Sequence, residues 1–166
     1  MNHPPVPAQT TPAQIALELP RLIERMHRRF LDVVRIELTR QGFNDVSPVQ
    51  AMMLANIGEE EISVRDLIER GYYLGSNASY NLKNLVDGGY VERQTSTRDR
   101  RSARLKVASK GRAILECLAK LNAQMAEPLL KTEGENNDID AAWRTLRRLE
   151  RRWSDSVRFA EPDGDI

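Results

Sequence analysis

The chain has 166 residues, of which 40% are hydrophobic, 30% charged and 5% aromatic, and its formal net charge is +1. This composition fits one globular domain with an aliphatic, mainly helical core, and the near-neutral total charge gives no general attraction to nucleic acid. No apolar stretch approaches the roughly 20 residues that span a bilayer and no signal peptide opens the chain, so we expect a cytoplasmic protein without a membrane partner.

The first part of the chain predicts a flexible arm followed by one long helix. Residues 1–19 are rich in proline and polar side chains, which is typical of an extended arm. Pro20 suits the first turn of a helix that ends near Gly42, and residues 20–46 are expected to serve in dimerisation. The apolar residues of this helix recur at spacings of three and four: Leu22, Ile23, Met26, Phe30, Val33, Val34 and Leu38.

Residues 47–71 predict two shorter helices joined by an extended segment. Ser47 precedes a proline, which together form the cap and first turn of a helix. Residues 61–63 predict a short edge strand. Ser63 then caps the next helix with Asp66 three residues later, as an acidic variant of the capping box.

The following segment predicts a turn, one more helix and a β-hairpin. The helix is expected to take its cap from Ser76 or Asn77 and to end before a pair of glycines. Residues 90–94 predict the first strand. Residues 103–107 alternate between apolar and polar side chains, as a half-buried second strand does. A polar turn with a charged tip joins the two strands.

A strongly basic segment coincides with this hairpin. Between Arg93 and Arg112 the only acidic residue is Asp99. The basic residues are Arg93, Arg98, Arg100, Arg101, Arg104, Lys106, Lys110 and Arg112. Because binding depends on the local potential, this segment restores nucleic acid as a candidate ligand despite the low net charge.

The order of elements over residues 47–108 predicts a winged helix-turn-helix, which suits double-stranded DNA. A short helix fits the major groove, and a basic hairpin contacts phosphates or the minor groove. The candidate residues on the helix are Ser76, Asn77, Ser79, Tyr80, Asn81 and Lys83. Those on the hairpin are Arg98, Asp99, Arg100 and Arg101.

Each part has an ordinary alternative when it is taken alone. Helix-turn-helix pairs also occur in proteins that never touch DNA, and a basic hairpin is usually a solvated face. Both parts together, in this order, favour DNA binding. The alternative function is a protein-interaction module that has the winged-helix fold without operator binding.

The hairpin resembles that of the MarR-type transcriptional regulators. The resemblance rests on Asp99-Arg100-Arg101-Ser102, on Ser109-Lys110-Gly111 after the second strand, and on Leu85 to Val91. It covers about residues 21–155. The segment from Gly71 to Leu82 is about one residue longer than the usual turn and is similar to the LdtR-like branch of the family.

The resemblance implies a dimeric, mostly α-helical winged-helix protein that regulates transcription. By this resemblance Asp99 orients the hairpin through an ion pair, and Arg101 reaches into the minor groove. It also implies a repressor that a small aromatic effector releases from DNA. No sequence motif of an enzyme is found, and no cofactor is expected.

Two terminal helices predict a two-fold dimer. Residues 109–160 contain them, the last one from about Asp138 to Phe159, and residues 161–166 form a tail. Large apolar side chains such as Trp143, Leu146 and Trp153 are unfavourable in water, and a second copy of the chain is the simplest cover. A homodimer in turn predicts a pseudo-palindromic operator. The alternative is that these helices only cap a monomer.

Other candidate sites are less specific. An effector pocket is assigned to five residues that have a core role as the alternative: Met26, Phe30, Met53, Tyr72 and Tyr73. Cys117, the single cysteine, lies beside an apolar face, which favours a buried structural role over redox sensing. His3 and His27 are too few and too far apart for a metal site.

Overall fold

The computed structural model describes residues 11–71, 75–95, 103–130 and 133–160. The chain divides after Leu121 into two compact units. The first contains α1 (Pro12–Arg40), α2 (Pro48–Ile57), β1 (Ile62–Ser63), α3 (Val64–Gly71), α4 (Gly75–Asp87), β2 (Val91–Thr95), β3 (Ala103–Val107) and most of α5 (Ser109–Ala126). The second contains the end of α5, a 3-10 turn (Glu127–Leu129) and α6 (Glu133–Ala160). The described part of the chain is mostly helical with one small sheet, as the sequence predicts.

The first helix begins earlier than the sequence analysis predicts. Thr11 and Gln14 form a capping box, in which Thr11 Oγ1 accepts from Gln14 N at 3.3 Å and Thr11 N donates to Gln14 Oε1 at 2.8 Å. Pro12 occupies the first turn, and Pro20 lies inside the helix. The predicted arm is therefore wrong from Pro12 onward. A complete cap lies upstream of Pro20, and this cap offsets the backbone hydrogen bond that the internal proline removes.

The caps of α2 and α3 are confirmed. Ser47 Oγ accepts from Gln50 N at 3.2 Å, while Ser47 N donates to Gln50 Oε1 at 2.9 Å. In α3, Ser63 Oγ accepts from Asp66 N at 3.0 Å and donates to Asp66 Oδ2 at 2.8 Å. The hydrogen bond from Ser63 lowers the pKa of Asp66, so this carboxylate stays charged at the positive end of α3.

The sheet has three antiparallel strands in the order β1-β3-β2. β2 pairs with β3 from Val91↔Val107 to Thr95↔Ala103, and β1 joins the other edge of β3 through Ile62↔Leu105. The alternate residues of β3 are buried, which fixes the register because a slip of one residue would expose them. The predicted hairpin is confirmed, with β2 one residue later than expected.

The core of the first unit joins its helices to the sheet. Leu85 of α4, Leu105 of β3 and Ile114 of α5 are fully buried in one cluster. Other members are Val34, Leu38, Ala51, Met53, Leu54, Ile57, Leu67, Tyr90 and Leu118. This cluster holds α4 against the sheet, so the outward face of α4 is presented by a packed scaffold.

In the second unit a 3-10 turn follows α5, and α6 begins earlier than the sequence predicts. α5 ends at Ala126, and the 3-10 turn that follows contains Pro128. A proline disfavours the α conformation of the residue before it, which explains why α5 gives way to a 3-10 turn at Glu127. α6 begins at Glu133, earlier than the expected start near Asp138. Among the described helices, none is apolar over a length that would cross a membrane.

Candidate nucleic-acid interface

Helix α4 presents one apolar and one polar face. Ala78, Leu82 and Leu85 follow each other at helical spacing and are 3%, 5% and 1% exposed. These residues anchor the helix to the core. On the opposite side, Ser76, Tyr80 and Lys83 point to solvent, and Tyr80 is 67% exposed. Tyrosine is enriched at binding interfaces, so this exposed ring is a candidate contact residue.

The structure places five of the six predicted helix residues at the surface. Ser76, Asn77, Ser79, Tyr80 and Lys83 are exposed. Asn81 is half-buried, and its Nδ2 donates to the carbonyl oxygen of Asn77 at 2.9 Å. Asn81 is therefore committed in part to its own helix.

The predicted cap of α4 is wrong. The helix begins at Gly75, so Ser76 and Asn77 lie within its first turn. Their backbone N–H groups belong to the positive end of the helix, which favours a phosphate placed there.

An ion pair that the sequence analysis missed lies on the same face. Lys83 Nζ contacts Asp87 Oδ2 one turn later, and this hydrogen bond raises the pKa of Lys83. Asp87 therefore competes with any phosphate for the ammonium group. The spacing of four residues was a usable signal, because side chains at that spacing meet on a helix.

The strands of the hairpin carry further polar side chains. Glu92↔Lys106 and Gln94↔Arg104 are cross-strand pairs, and all four side chains are exposed. The hairpin tip falls outside the described residues, and with it fall the predicted site residues Arg98, Asp99, Arg100 and Arg101. The roles predicted for them stay predictions. Arg104 and Lys106, which lie on β3, are exposed basic residues within the described part of the hairpin.

A cluster of three side chains joins the end of α4 to α5 and to the connection between α1 and α2. Tyr90 Oη donates to Asp45 Oδ1 at 2.6 Å. Lys110 Nζ donates to Asp45 Oδ2 at 3.0 Å and to the Gly88 carbonyl oxygen at 3.1 Å, and it lies 4.0 Å from the centre of the Tyr90 ring. The sequence analysis noted Lys110 only as a basic residue of a motif, because its partners are distant in the chain.

The three side chains shift one another's pKa values in directions that preserve the cluster. Hydrogen bonds from Tyr90 and Lys110 lower the pKa of Asp45. Burial and the bond to Asp45 raise the pKa of Tyr90. The contacts with Tyr90 and Asp45 raise the pKa of Lys110. Around neutral pH the cluster therefore holds one carboxylate, one neutral phenol and one ammonium group.

The position of Gly111, directly after Lys110, has no room for a side chain. A Cβ atom at this position would lie 2.4 Å from the carbonyl oxygen of Tyr90 and 2.7 Å from Val107 Cγ1. The start of α5 thus lies directly against the backbone of Tyr90, three residues after the end of α4. This close approach brings Lys110 within reach of its partners.

The five residues assigned to an effector pocket have different surroundings. Met26 is 56% exposed on α1, and Phe30 is half-buried against the core. Met53 is fully buried within the core cluster. Tyr72 and Tyr73 lie outside the described residues. The pocket stays a prediction.

Cys117 is buried in α5. Its Sγ lies 4.0 Å from Glu37 Oε1, and burial followed by the charge of Glu37 raises the pKa of the thiol. Glu37 stays ionised because hydrogen bonds from Arg40 and Gln41 lower its pKa to about 2. These surroundings favour the thiol over the reactive thiolate. Within the described residues, no group of three side chains is arranged to hold a metal ion.

Comparisons with a family profile, with a related protein and with solved structures identify the family of this chain. The profile of the MarR family matches residues 44–102. The exopolysaccharide II synthesis transcriptional activator ExpG of Rhizobium meliloti (strain 1021) is 43% identical over 142 residues, which are 86% of this chain and 73% of that protein. The crystal structure of the transcriptional regulator SlyA has a TM-score of 0.75 at 18% identity, over 87% of this chain and 99% of that one. FabT of Streptococcus pneumoniae in complex with DNA has a TM-score of 0.63 at 24% identity, over 82% and 98%. The chain belongs to the MarR family of transcriptional regulators, which are not enzymes.

Proposed function

We propose that this regulator is a homodimer that binds a pseudo-palindromic operator in double-stranded DNA. The proposal rests on the two faces of α4. Ala78, Leu82 and Leu85 anchor the helix to the core, so its polar face is exposed to solvent. The antiparallel hairpin of β2 and β3 follows this helix in the chain. FabT has the same fold in a complex with DNA, which supports this use of the fold.

The contacts follow from the dimensions of DNA. With α4 in the major groove, the residues near its start face base edges and phosphates, while Tyr80 lies at the centre of the contact. Lys83 binds a phosphate after exchanging its partner Asp87. Arg101 of the hairpin reaches into the minor groove, Arg98 and Arg100 meet phosphates or the minor groove, and Asp99 orients the hairpin through an ion pair.

The dimer follows from apolar side chains that remain exposed. On α1, Leu22 is 42%, Met26 56% and Ile36 68% exposed. On α6, Trp143 and Trp153 are 60% and 42% exposed. Burying a large apolar side chain stabilises by roughly 1.5–3 kcal/mol, so a second copy that covers these faces gains substantially. Two copies related by a two-fold axis present two α4 helices to two half-sites.

The sign of regulation depends on where the operator lies. Repression relieved by a small aromatic effector remains the expectation from the family resemblance, whereas the Rhizobium relative is named an activator. A dimer bound over a promoter blocks transcription, and the same dimer bound upstream of it is placed to activate. Because its proposed ligand is operator DNA, we place the action of the protein in the cytoplasm.

Selection of bound fragments from the source genome, followed by footprinting, tests the proposal. We expect protection of two half-sites whose centres are about one helical turn apart. Arg101→Ala should weaken binding and make its salt dependence shallower, while Arg35→Ala, at an exposed position of α1 away from the apolar stripe, should leave both unchanged. A dimer without preference for any duplex would favour the interaction module instead.

A further inference from the structure

We propose that Asp45, Tyr90 and Lys110 form a latch that fixes the orientation of α4 and thereby sets the half-site spacing that the dimer accepts. The inference rests on the proposed function, since spacing has meaning only for a dimer on a two-part operator. The three residues are positioning residues, because they contact one another and the chain just after α4, and act through that helix.

The latch acts at the point where α4 ends. The last turn is closed by backbone hydrogen bonds from Gly88 N to Asn84 O at 2.9 Å and from Tyr90 N to Leu85 O at 2.8 Å. The carbonyl of Gly88 then accepts from Lys110 Nζ. A tilt of α4 relative to α5 therefore strains this contact and the two contacts of Asp45 together.

Asp45 supplies the third support. It lies between α1 and α2, and its two carboxylate oxygens accept separately from Tyr90 and Lys110. A single carboxylate thus connects the segment that follows α1, the end of α4 and the start of α5. α1 carries part of the proposed dimer surface. The latch therefore connects α4 to α1, the helix through which the partner protomer and its own α4 would be positioned.

The exposure of the three side chains distinguishes a positioning role from a contribution to core packing. Tyr90 is 2% exposed and its ring belongs to the core, whereas the side chains of Asp45 and Lys110 are 61% and 48% exposed. The polar contacts therefore lie at the edge of the core, where they restrict orientation while adding little buried apolar area. Removing only the hydroxyl or the charge should loosen the angle of α4 and leave the fold intact.

The test compares duplexes that contain one half-site, two half-sites at the natural spacing, and two half-sites one base pair closer or farther apart. The full-length variants are Tyr90→Phe, Asp45→Asn and Lys110→Met, with Lys120→Met as the matched control at an exposed position of α5. We expect single half-site affinity within about twofold of the unaltered protein. The preference for the natural spacing should fall about fivefold, which corresponds to one lost hydrogen bond.

The outcomes separate the two proposals. An unaltered spacing preference in all three variants overturns the latch and leaves the proposed function standing. A uniform loss of affinity on every duplex, together with a lower melting temperature, shows a merely structural role and also overturns it. If the unaltered protein itself shows no spacing preference, both proposals fail. Reduced discrimination in Tyr90→Phe and Asp45→Asn, but not in Lys120→Met, supports the latch.

Discussion

The hydroxyl of Tyr90 donates a 2.6 Å hydrogen bond to Asp45, a residue 45 positions earlier in the chain. The acceptor is a carboxylate that also binds Lys110 at 3.0 Å. Hydrogen bonds to charged groups are shorter and stronger than neutral ones, so this contact is a defined support for the end of α4.

Tyr90→Phe should lower the free energy of unfolding by about 1 kcal/mol, because the ring keeps its place in the core and only one hydrogen bond is lost. Urea denaturation of the two proteins measures the difference. Tyr80→Phe removes a hydroxyl from an exposed ring and should have no measurable effect on stability. Equal effects of the two substitutions would contradict the assigned contact.

The pH dependence of stability should reveal Asp45. Its folded pKa is depressed, so its contribution is present above the unfolded value of about 3.9 and is lost as the pH falls through the lower folded value. The pKa of Lys110 is raised, so its contribution is complete below about 10.4 and is lost as the pH rises through the folded value.

Denaturation midpoints measured from pH 7 down to pH 2 should therefore decline less in Asp45→Asn than in the unaltered protein. Asp66→Asn removes a different depressed carboxylate and serves as a comparison for the size of the effect. Parallel curves for Asp45→Asn and the unaltered protein would show that Asp45 has no shifted pKa.

Gly111→Ala should destabilise the protein by about 2 kcal/mol or more, since the new methyl group would overlap the carbonyl of Tyr90 and Val107. Gly42→Ala is the matched control. Its Cβ atom would meet no atom within 4 Å, so the substitution should cost only the strain of a φ of +84°, about 1 kcal/mol. Thermal or urea unfolding measures both. A smaller loss at Gly111 than at Gly42 would show that α5 does not lie as close to Tyr90 as described.

Neighbouring charges on α4 should affect DNA binding in opposite directions. Asp87→Asn frees Lys83 and removes a negative charge, so it should tighten binding, whereas Lys83→Gln should weaken it and reduce the salt slope by about 1. Fluorescence anisotropy across a salt series measures both effects. Stability should change little, because solvent screens an exposed ion pair at this spacing. A weaker complex with Asp87→Asn would place α4 away from phosphates.

Trp153→Glu should convert the dimer to a monomer, because it places a charge within the apolar stripe of α6. Arg152→Glu, at the neighbouring position, alters the net charge of the chain more than Trp153→Glu does. Arg152 lies outside the apolar stripe, so this substitution should leave the dimer intact. Sedimentation velocity distinguishes the two. A dimer that survives Trp153→Glu would show that the second copy does not cover this face.

The sequence predicted best what depends on neighbouring residues. The caps at Ser47 and Ser63 and the alternation of β3 are local patterns, and the structure confirms them. The predicted start of α1 at Pro20 is wrong because it rests on this proline alone, whereas the capping box of Thr11 and Gln14 lies upstream. Asp45 could not be found from sequence, since its partners come from distant segments and no periodic pattern marks an isolated aspartate in a connection.

The position of Ser63 has a mechanical consequence. Its backbone pairs with Arg104 in β3, while its hydroxyl caps α3. The hairpin and the helix-turn-helix therefore share one residue, and β3 cannot swing without pulling on the first turn of α3. A displacement of β3 therefore acts directly on the first turn of α3, so we expect the sheet edge and this helix to move together.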